Sequence, residues 1–291
     1  MNTPEITEQS PSVVLPAKNE AASIGTVVSR ILEHIPEAEV IVVDDGSSDD
    51  TATIASHAGA RVISHPYSMG NGSAIKTGAR AATREIVVFM DADGQHDPAD
   101  IPRLLGELRK GYHMVVGARG SESHASLGRG IANRIYNRLA SYMTGHRIED
   151  LTSGFRAVVT SRFREFLYLL PNGFSYPTTS TMAFFRAGYP VSYVPIRAEK
   201  RIGKSHIRIL HDGVRFLIII FRVGTLYSPL KLFLPIALGF FLLASFWYGY
   251  TFVTQGRFTN MSALLYTGSV SIFLMGLISE QITALMYKDR G

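Results

Sequence analysis

Asp91, Asp93 and Gln95 alternate along Phe89-Met90-Asp91-Ala92-Asp93-Gly94-Gln95-His96-Asp97, directly after the apolar run Ile86–Met90. Two carboxylates and an amide oxygen are ligands of the kind a hard cation such as Mg²⁺ takes, and that ion commonly completes its shell with substrate phosphates. Alternate residues of an extended chain point to one side. A strand carried through this stretch would therefore aim all three at one ion. The competing reading is a solvated acidic turn, because Gly94 breaks the strand and a lone Asp-x-Asp arises easily by chance. The elements around it decide between the two.

Those elements alternate. Ser12–Ala17 reads as a strand that feeds a helix, with Ile24, Val27, Val28, Ile31 and Leu32 at helical spacing, through Pro16-Ala17-Lys18-Asn19-Glu20. Val40–Val43 is continuously apolar, as expected of a parallel strand covered on both faces. It ends in the acidic loop Asp44–Thr51 before a helix through Ala58. Arg61–Ser64 is a third strand, and a helix from Gly70-Asn71-Gly72-Ser73 to about Thr83 precedes the strand that delivers Asp91. Ile101, Leu104, Leu105 and Leu108 mark the next helix, and Met114–Gly117 the next strand. This alternation predicts an α/β domain with a mostly parallel sheet. Ligands of such sheets bind at the carboxyl ends of the strands, where Asn19/Glu20, Asp44/Asp45 and Asp91/Asp93 converge. That convergence favours a metal–diphosphate site over an ordinary turn.

Other motifs are weaker. Gly70-x-Gly72 could offer backbone N–H groups to a phosphate at a helix start, or be an ordinary turn. No Gly-x-Gly-x-x-Gly follows the first strand, which argues against a dinucleotide site. Gly203-Lys204-Ser205 fails as a P-loop, since Ala198 stands where its first glycine belongs. Asp150–Arg156 reads as a polar turn. Tyr176–Thr181 precedes a helix ending at Gly188, and Val191–Ile196 is a strand.

The 291 residues carry a net charge of +5 and no cysteine, which excludes disulfides, thiolate metal sites and a cysteine nucleophile. The basic residues gather in 197–222 without interleaved stacking aromatics, which points to anionic lipid rather than nucleic acid. Arg208, Arg215 and Arg222 recur every seven residues among Leu, Ile and Phe, as in a helix lying at a membrane interface. Leu232–Val253 and Met261–Met286 are each long enough to cross about 30 Å of hydrocarbon. Lys and Arg flank this pair, with only Arg257 between, so the positive-inside rule places both ends and the α/β domain in the cytoplasm. The expected organisation is a loose tail (1–11), a catalytic domain (12–205), an amphipathic juxtamembrane helix (206–228) and two transmembrane helices (229–291). Two spans make a small bundle, so self-association into a homo-oligomer is also expected.

Pro16-Ala17-x-Asn19-Glu20, Val43-Asp44-Asp45-Gly46-Ser47, Asp91-Ala92-Asp93-Gly94-Gln95-His96 and Thr152-Ser153-Gly154-Phe155 together resemble the inverting GT-A glycosyltransferases of family 2. Within these the chain is most similar to the polyprenyl-phosphate, dolichyl-phosphate mannose synthase-like branch, in which a C-terminal pair of spans also occurs. The likeness covers about residues 12–210. It implies a Rossmann-like GT-A domain in which Pro16, Ala17, Glu20 and Asp44 hold the base and ribose of a nucleotide-sugar. Asp91, Asp93 and Gln95 would carry Mg²⁺ or Mn²⁺ on its diphosphate. Arg119 and Arg134 fall where the family binds the acceptor phosphate; Arg201, Lys204 and Ser205 match a basic loop closing over the phosphates. The Gln-x-x-Arg-Trp of processive polysaccharide synthases is absent, since the sole tryptophan is Trp247, inside a span.

The implied reaction moves a sugar from a UDP- or GDP-linked donor to a polyprenyl phosphate. An acceptor already anionic at neutral pH needs no general base, so positioning and charge neutralisation carry the catalysis, with Asp93, Arg119 and Arg134 at its centre. The alternatives are transfer to another membrane acceptor, such as diacylglycerol or a lipid-linked saccharide, and a catalytically silent membrane-anchored binding subunit.

Overall fold

The computed structural model describes residues 10–119, 127–173, 176–197, 224–225 and 227–288. The strands are β1 (Ser12–Ala17), β2 (Glu39–Asp44), β3 (Arg61–Ser64), β4 (Ile86–Phe89), β5 (Met114–Arg119), β6 (Arg156–Val159) and β7 (Val191–Ile196). They form one sheet in the order β3-β2-β1-β4-β6-β5-β7. Every neighbouring pair is parallel except those of β6, which runs antiparallel to both β4 and β5. The mostly parallel sheet is as expected. The antiparallel insert is not: the stretch expected to be a polar turn leads straight into β6.

Helices cover both faces. On one, α1 (Ile24–His34) buries Ile24, Val27, Val28 and Ile31, and α4 (Ile101–Leu108) buries Ile101, Leu104, Leu105 and Leu108. Both sets follow the i, i+3, i+4, i+7 stripe of a one-sided helix. They pack on Val13, Leu15, Val40, Val42 and Val88 of the central strands. The chain passes through α2 (Thr51–His57) and α3 (Asn71–Ala81), and later through α5 (Leu127–Thr144), α6 (Thr160–Arg164) and α7 (Tyr176–Arg186). α7 begins at Tyr176, so Tyr176–Thr181 is its first turn and a half rather than its approach. On the opposite face Phe89 meets Phe163 of α6 and Tyr176 of α7, with ring centroids 4.6 and 6.1 Å apart.

The start of α3 is not a phosphate cradle. Its Gly72 and Ser73 N–H groups donate to the carbonyls of Gly173 and Asn172, at 3.1 and 3.0 Å. Lys76 Nζ donates to Leu170 O at 3.2 Å. The free N–H groups of a helix start are thus taken by a loop about a hundred residues onward. Contact is so close that a Cβ on Gly72 would lie 1.9 Å from Pro171 O. Gly72→Ala is therefore expected to destabilise the protein by about 2–3 kcal/mol through overpacking. Gly106→Ala, where nothing lies within 4 Å, should leave the melting temperature level or slightly raised. Thermal denaturation of the two variants checks this.

The chain divides into two compact units, residues 1–139 with 146–208, and 140–145 with 209–291. The second contains two long helices, α8 (Pro229–Gln255) and α9 (Asn260–Lys288), three residues or fewer beyond the expected spans at each end. Pro235 lies inside α8. Apart from Pro229 at the start of α8, the buried positions recur every seven residues: Ala237, Ala244 and Thr251 on α8, and Ser262, Ser269, Gly276 and Thr283 on α9. A strict heptad of small residues lets two helices close in with a slight left-handed supercoil. Polar ties lie along this seam. Ser269 Oγ donates to Ala237 O at 2.8 Å, and Glu280 Oε2 accepts from Leu230 N at 3.2 Å. Their other faces expose Leu238, Leu242, Phe246, Leu264, Ile278 and Ile282. With mean hydropathies of 1.9 and 1.8 and so little of either helix buried, such surface belongs in lipid, and the hairpin associates with a membrane. The expected juxtamembrane helix falls almost wholly outside the described residues.

Candidate active site

The strand order reverses between β1 and β4, and the crevice at such a switch point is where ligands of open α/β sheets bind. The loops leaving β1 and β2 are stitched together there. Asn19 N donates to Ser47 Oγ, Ser48 N to Asn19 Oδ1 and Glu20 N to Thr51 Oγ1, each at 2.9 Å. Asn19 holds φ 55°, a left-handed conformation that asparagine tolerates better than most residues. Pro16 and Ala17 lie in register with Val43 and Asp44, so β1 and β2 end side by side at the switch point, with Glu20 in the loop that follows β1.

The two neighbouring aspartates play different parts. Asp44 accepts from Ser47 N at 3.1 Å. Asp45 is buried and accepts from His65 Nδ1, Ser68 Oγ, Met69 N and Gly70 N at 2.8–2.9 Å. Burial alone would raise the Asp45 carboxyl, but these bonds hold it below its ordinary value. Asp45 is the anchor of the 65–70 loop, whereas Asp44, which is also buried, ends β2 and takes the backbone of its own turn.

Across the crevice, Ser23 Oγ donates to Ala92 O at 2.9 Å, joining the β1 loop to the Asp91–Gln95 loop. β4 ends at Phe89, and Ala92-Asp93 is a turn whose Asp93 Oδ1 accepts from Gln95 N at 3.1 Å. The pleat of an extended strand therefore does not align Asp91, Asp93 and Gln95; a turn brings them into one loop. Asp91 is partly exposed, and its Oδ2 lies 3.8 Å from Nδ1 of the buried His96. That nitrogen has no hydrogen-bond partner, and the ring stacks on Phe155. Gly154 sits under the Asp91 carboxylate: a Cβ there would lie 2.9 Å from Oδ2 and 3.0 Å from Oδ1.

Among the described residues no group of three His, Cys, Asp or Glu side chains forms a closed cage. An accessible carboxylate on a glycine floor, with an acidic turn beside it, suits a cation that takes its remaining oxygens from phosphates and water. The residues fit a divalent ion of that kind.

Arg119, at the end of β5, is held by Asp150. Its Nε donates to Asp150 Oδ2 at 2.8 Å and Nη2 to Asp150 Oδ1 at 3.1 Å and Thr152 Oγ1 at 2.6 Å. Burial works against both charges. The pair's bonds outweigh it, raising Arg119 above its ordinary pKa with a further contribution from the Asp91 charge, and lowering Asp150. Arg119 is thus within electrostatic reach of Asp91. Arg134 lies exposed on α5 and makes no hydrogen bond or ion pair among the described residues. Arg201, Lys204 and Ser205 lie outside the described residues.

Asp150, Gly154, His96 and Arg156 are site residues that their local sequence does not single out. Each stands in or beside one of the motifs above. What local sequence lacks is the long-range partner: Arg119 for Asp150, Asp91 for Gly154 and His96, and α7 for Arg156.

Residues 12–167 match the family described as glycosyl transferase family 2, and residues 228–285 match the GtrB C-terminal hairpin. A dolichyl-phosphate hexose transferase of Haloferax volcanii is 33% identical, over 70% of this chain and 89% of its own. An undecaprenyl-phosphate 4-deoxy-4-formamido-L-arabinose transferase of Photorhabdus laumondii is 28% identical, over 96% of this chain and 90% of its own. Among solved structures, glucosyl-3-phosphoglycerate synthase of Mycobacterium tuberculosis, in complex with Mn²⁺, uridine-diphosphate and phosphoglyceric acid, superposes with a TM-score of 0.61. It is 25% identical, and the match covers 76% of this chain and 80% of the synthase.

Proposed function

This chain belongs to glycosyl transferase family 2 and is a glycosyltransferase, and we propose that it moves one sugar from a UDP- or GDP-linked donor to the phosphate of a membrane polyprenyl phosphate, inverting the anomeric carbon. The observation that carries the proposal is that a single chain joins the switch-point crevice, with Asp91 and Arg119 at its strand ends, to a hairpin whose outer faces are apolar and exposed. The relatives named for dolichyl-phosphate and undecaprenyl-phosphate transfer support the acceptor. The uridine-diphosphate and Mn²⁺ of the mycobacterial synthase support the donor and the cation.

In this reading an oxygen of the lipid phosphate attacks the anomeric carbon from the face opposite the leaving group. The bond from that carbon to the donor diphosphate breaks, and its electron pair departs on the diphosphate oxygen. The acceptor is already anionic, so no side chain has to remove a proton. Pro16, Ala17, Glu20 and Asp44 hold the base and ribose. Asp91, Asp93 and Gln95 would hold Mg²⁺ or Mn²⁺, whose chemistry is to neutralise the charge growing on the diphosphate. Arg119 commits Nε and Nη2 to Asp150 and Thr152, which leaves its Nη1 donors for the acceptor phosphate. Arg134 and Ser205 would join it there, and Arg201 and Lys204 would close over the donor. Lys231 and Lys288 flank the hairpin and Arg257 alone stands in its turn, which favours a cytoplasmic catalytic domain.

The test supplies full-length protein in lipid with labelled UDP- and GDP-sugars and, separately, polyprenyl phosphate, diacylglycerol or a lipid-linked saccharide. Label should become lipid-extractable only with polyprenyl phosphate, in step with release of nucleoside diphosphate. Transfer to either of the other acceptors alone would overturn the proposal.

A further inference from the structure

The largest fully buried side chain among the described residues is Arg156, the first residue of β6. It has no carboxylate within hydrogen-bond reach. Its Nη1 donates to Pro177 O, Ser180 Oγ and Thr181 Oγ1 at 2.9, 2.8 and 3.1 Å, and its guanidinium lies 5.6 Å from the centre of the Tyr176 ring. All four partners come from the start of α7. Leaving a guanidinium in such a place is costly unless it is well bonded, and burial does depress its pKa. A group so expensive to bury calls for a reason, and the reason lies in what it holds.

Arg156 Nη2 donates to Ser153 O at 2.5 Å, and Tyr176 Oη donates to the next carbonyl, Gly154 O, at 2.9 Å. Phe155 O accepts from Gly117 N of β5 at 2.9 Å, while Arg156 pairs in register with Phe89 at the end of β4. Three consecutive carbonyls and the strand that follows them are therefore fixed. Two members of this fixed segment bear on Asp91: Gly154 directly, with its Cβ position 2.9 Å from Oδ2, and Phe155 through His96, which stacks on it and whose Nδ1 is 3.8 Å from the same oxygen.

We propose that Ser153-Gly154-Phe155-Arg156, clamped from beneath by the Tyr176–Thr181 turn, is a positioning platform that sets the Asp91 carboxylate for the cation and diphosphate. This rests on the reading of Asp91 as a cation-holding carboxylate. The Tyr176-Pro177-Thr178-Thr179-Ser180 stretch is thereby the socket of a buried guanidinium, and it acts on the donor site through the backbone. Gly154, Tyr176 and Arg156 are positioning residues, because none is placed to touch substrate.

The experiment measures Mn²⁺ affinity of the full-length chain by electron paramagnetic resonance of the free ion, alongside the melting temperature. Three variants are compared. Gly154→Ala places a methyl against both Asp91 oxygens. Tyr176→Phe keeps the ring over Arg156 but removes the bond to Gly154 O. Asp91→Asn serves as the reference. Supporting groups around a metal typically contribute about 10–100-fold to its affinity. The expected result is a dissociation constant raised at least about tenfold by Gly154→Ala and a few-fold by Tyr176→Phe, with Tyr176→Phe still melting as a folded protein. If Asp91→Asn weakens Mn²⁺ binding but both platform variants bind as the unsubstituted protein does, the platform is overturned and the reading of Asp91 stands. If Asp91→Asn itself binds Mn²⁺ normally, the reading of Asp91 fails and the platform with it.

Discussion

Asp93→Ala is expected to lower sugar transfer by at least about a thousandfold, the scale on which charge stabilisation of a leaving group acts in a preorganised site. The fold should be almost indifferent. Asp93 sits in the turn after β4, half-buried, with its Oδ1 bonded to Gln95 N at 3.1 Å, and loss of a bond of this kind costs about 1 kcal/mol. The variant should therefore insert into membranes and melt close to the unsubstituted protein while transferring no measurable sugar. Initial rates with a labelled donor, taken over a range of Mn²⁺ concentrations, make the comparison. Activity that persists, or returns fully at high Mn²⁺, would mean that Asp93 does not hold the cation against the diphosphate.

The contrast with Asp45 explains why acidic residues that look alike in the sequence must be separated by their partners. Asp44-Asp45 and Asp91-x-Asp93 both end apolar strands, and both are visible as candidates. Asp45 spends its oxygens on His65, Ser68 and two backbone N–H groups of one loop, so it builds the crevice wall. Nothing local in Val43-Asp44-Asp45-Gly46 says which of the two carboxylates takes the 65–70 loop. Those partners lie about twenty residues on, and only the fold brings them.

The same limit governs the elements. β1, β2, β4 and β5 are legible because a strand buried on both faces has to be apolar throughout, and the spans because lipid demands two long apolar runs. β6 is hidden. Its four residues, Arg156-Ala157-Val158-Val159, begin with a charge and follow Thr152-Ser153-Gly154-Phe155, so the local reading is a turn. The arginine belongs in the strand because α7 supplies a carbonyl and two hydroxyls to it, and those groups become a socket only once α7 packs on the sheet. Gly70-x-Gly72 fails in the opposite sense. Its local pattern suits a phosphate, but the carbonyls of Asn172 and Gly173 occupy the N–H groups. The cation loop is legible through residue type, while strand pleating, the geometric reason that its alternation suggests, gives way to a turn.

Arg119→Ala should produce the second large effect, and it should be divisible into two parts. The first is structural. Asp150 is nearly buried beside Arg119, and removing one member of such a pair strands the other charge, at about 3 kcal/mol; the bonds from Thr152 N and Ser153 N keep the loss from being greater. The second is functional: the acceptor phosphate loses a guanidinium, and the KM for polyprenyl phosphate should rise at least about tenfold, the worth of one charge-assisted hydrogen bond. Two comparisons separate them. In Arg119→Ala/Asp150→Asn no buried charge is left unpaired, so most of the stability should return while the acceptor KM stays high. The pH dependence gives the same division. Because the folded-state pKa of Asp150 is depressed, its contribution to stability is complete above its unfolded value near 3.8 and is lost as pH falls through the folded value. The stability gap between Arg119→Ala and the unsubstituted protein should accordingly be full at pH 7 and narrow as pH falls through the depressed folded-state value, where Asp150 takes up its proton and no longer needs a partner. A gap that stays constant with pH would show that Arg119 stabilises the fold by packing alone. An acceptor KM restored by the double substitution would show that Arg119 serves Asp150 rather than the lipid phosphate.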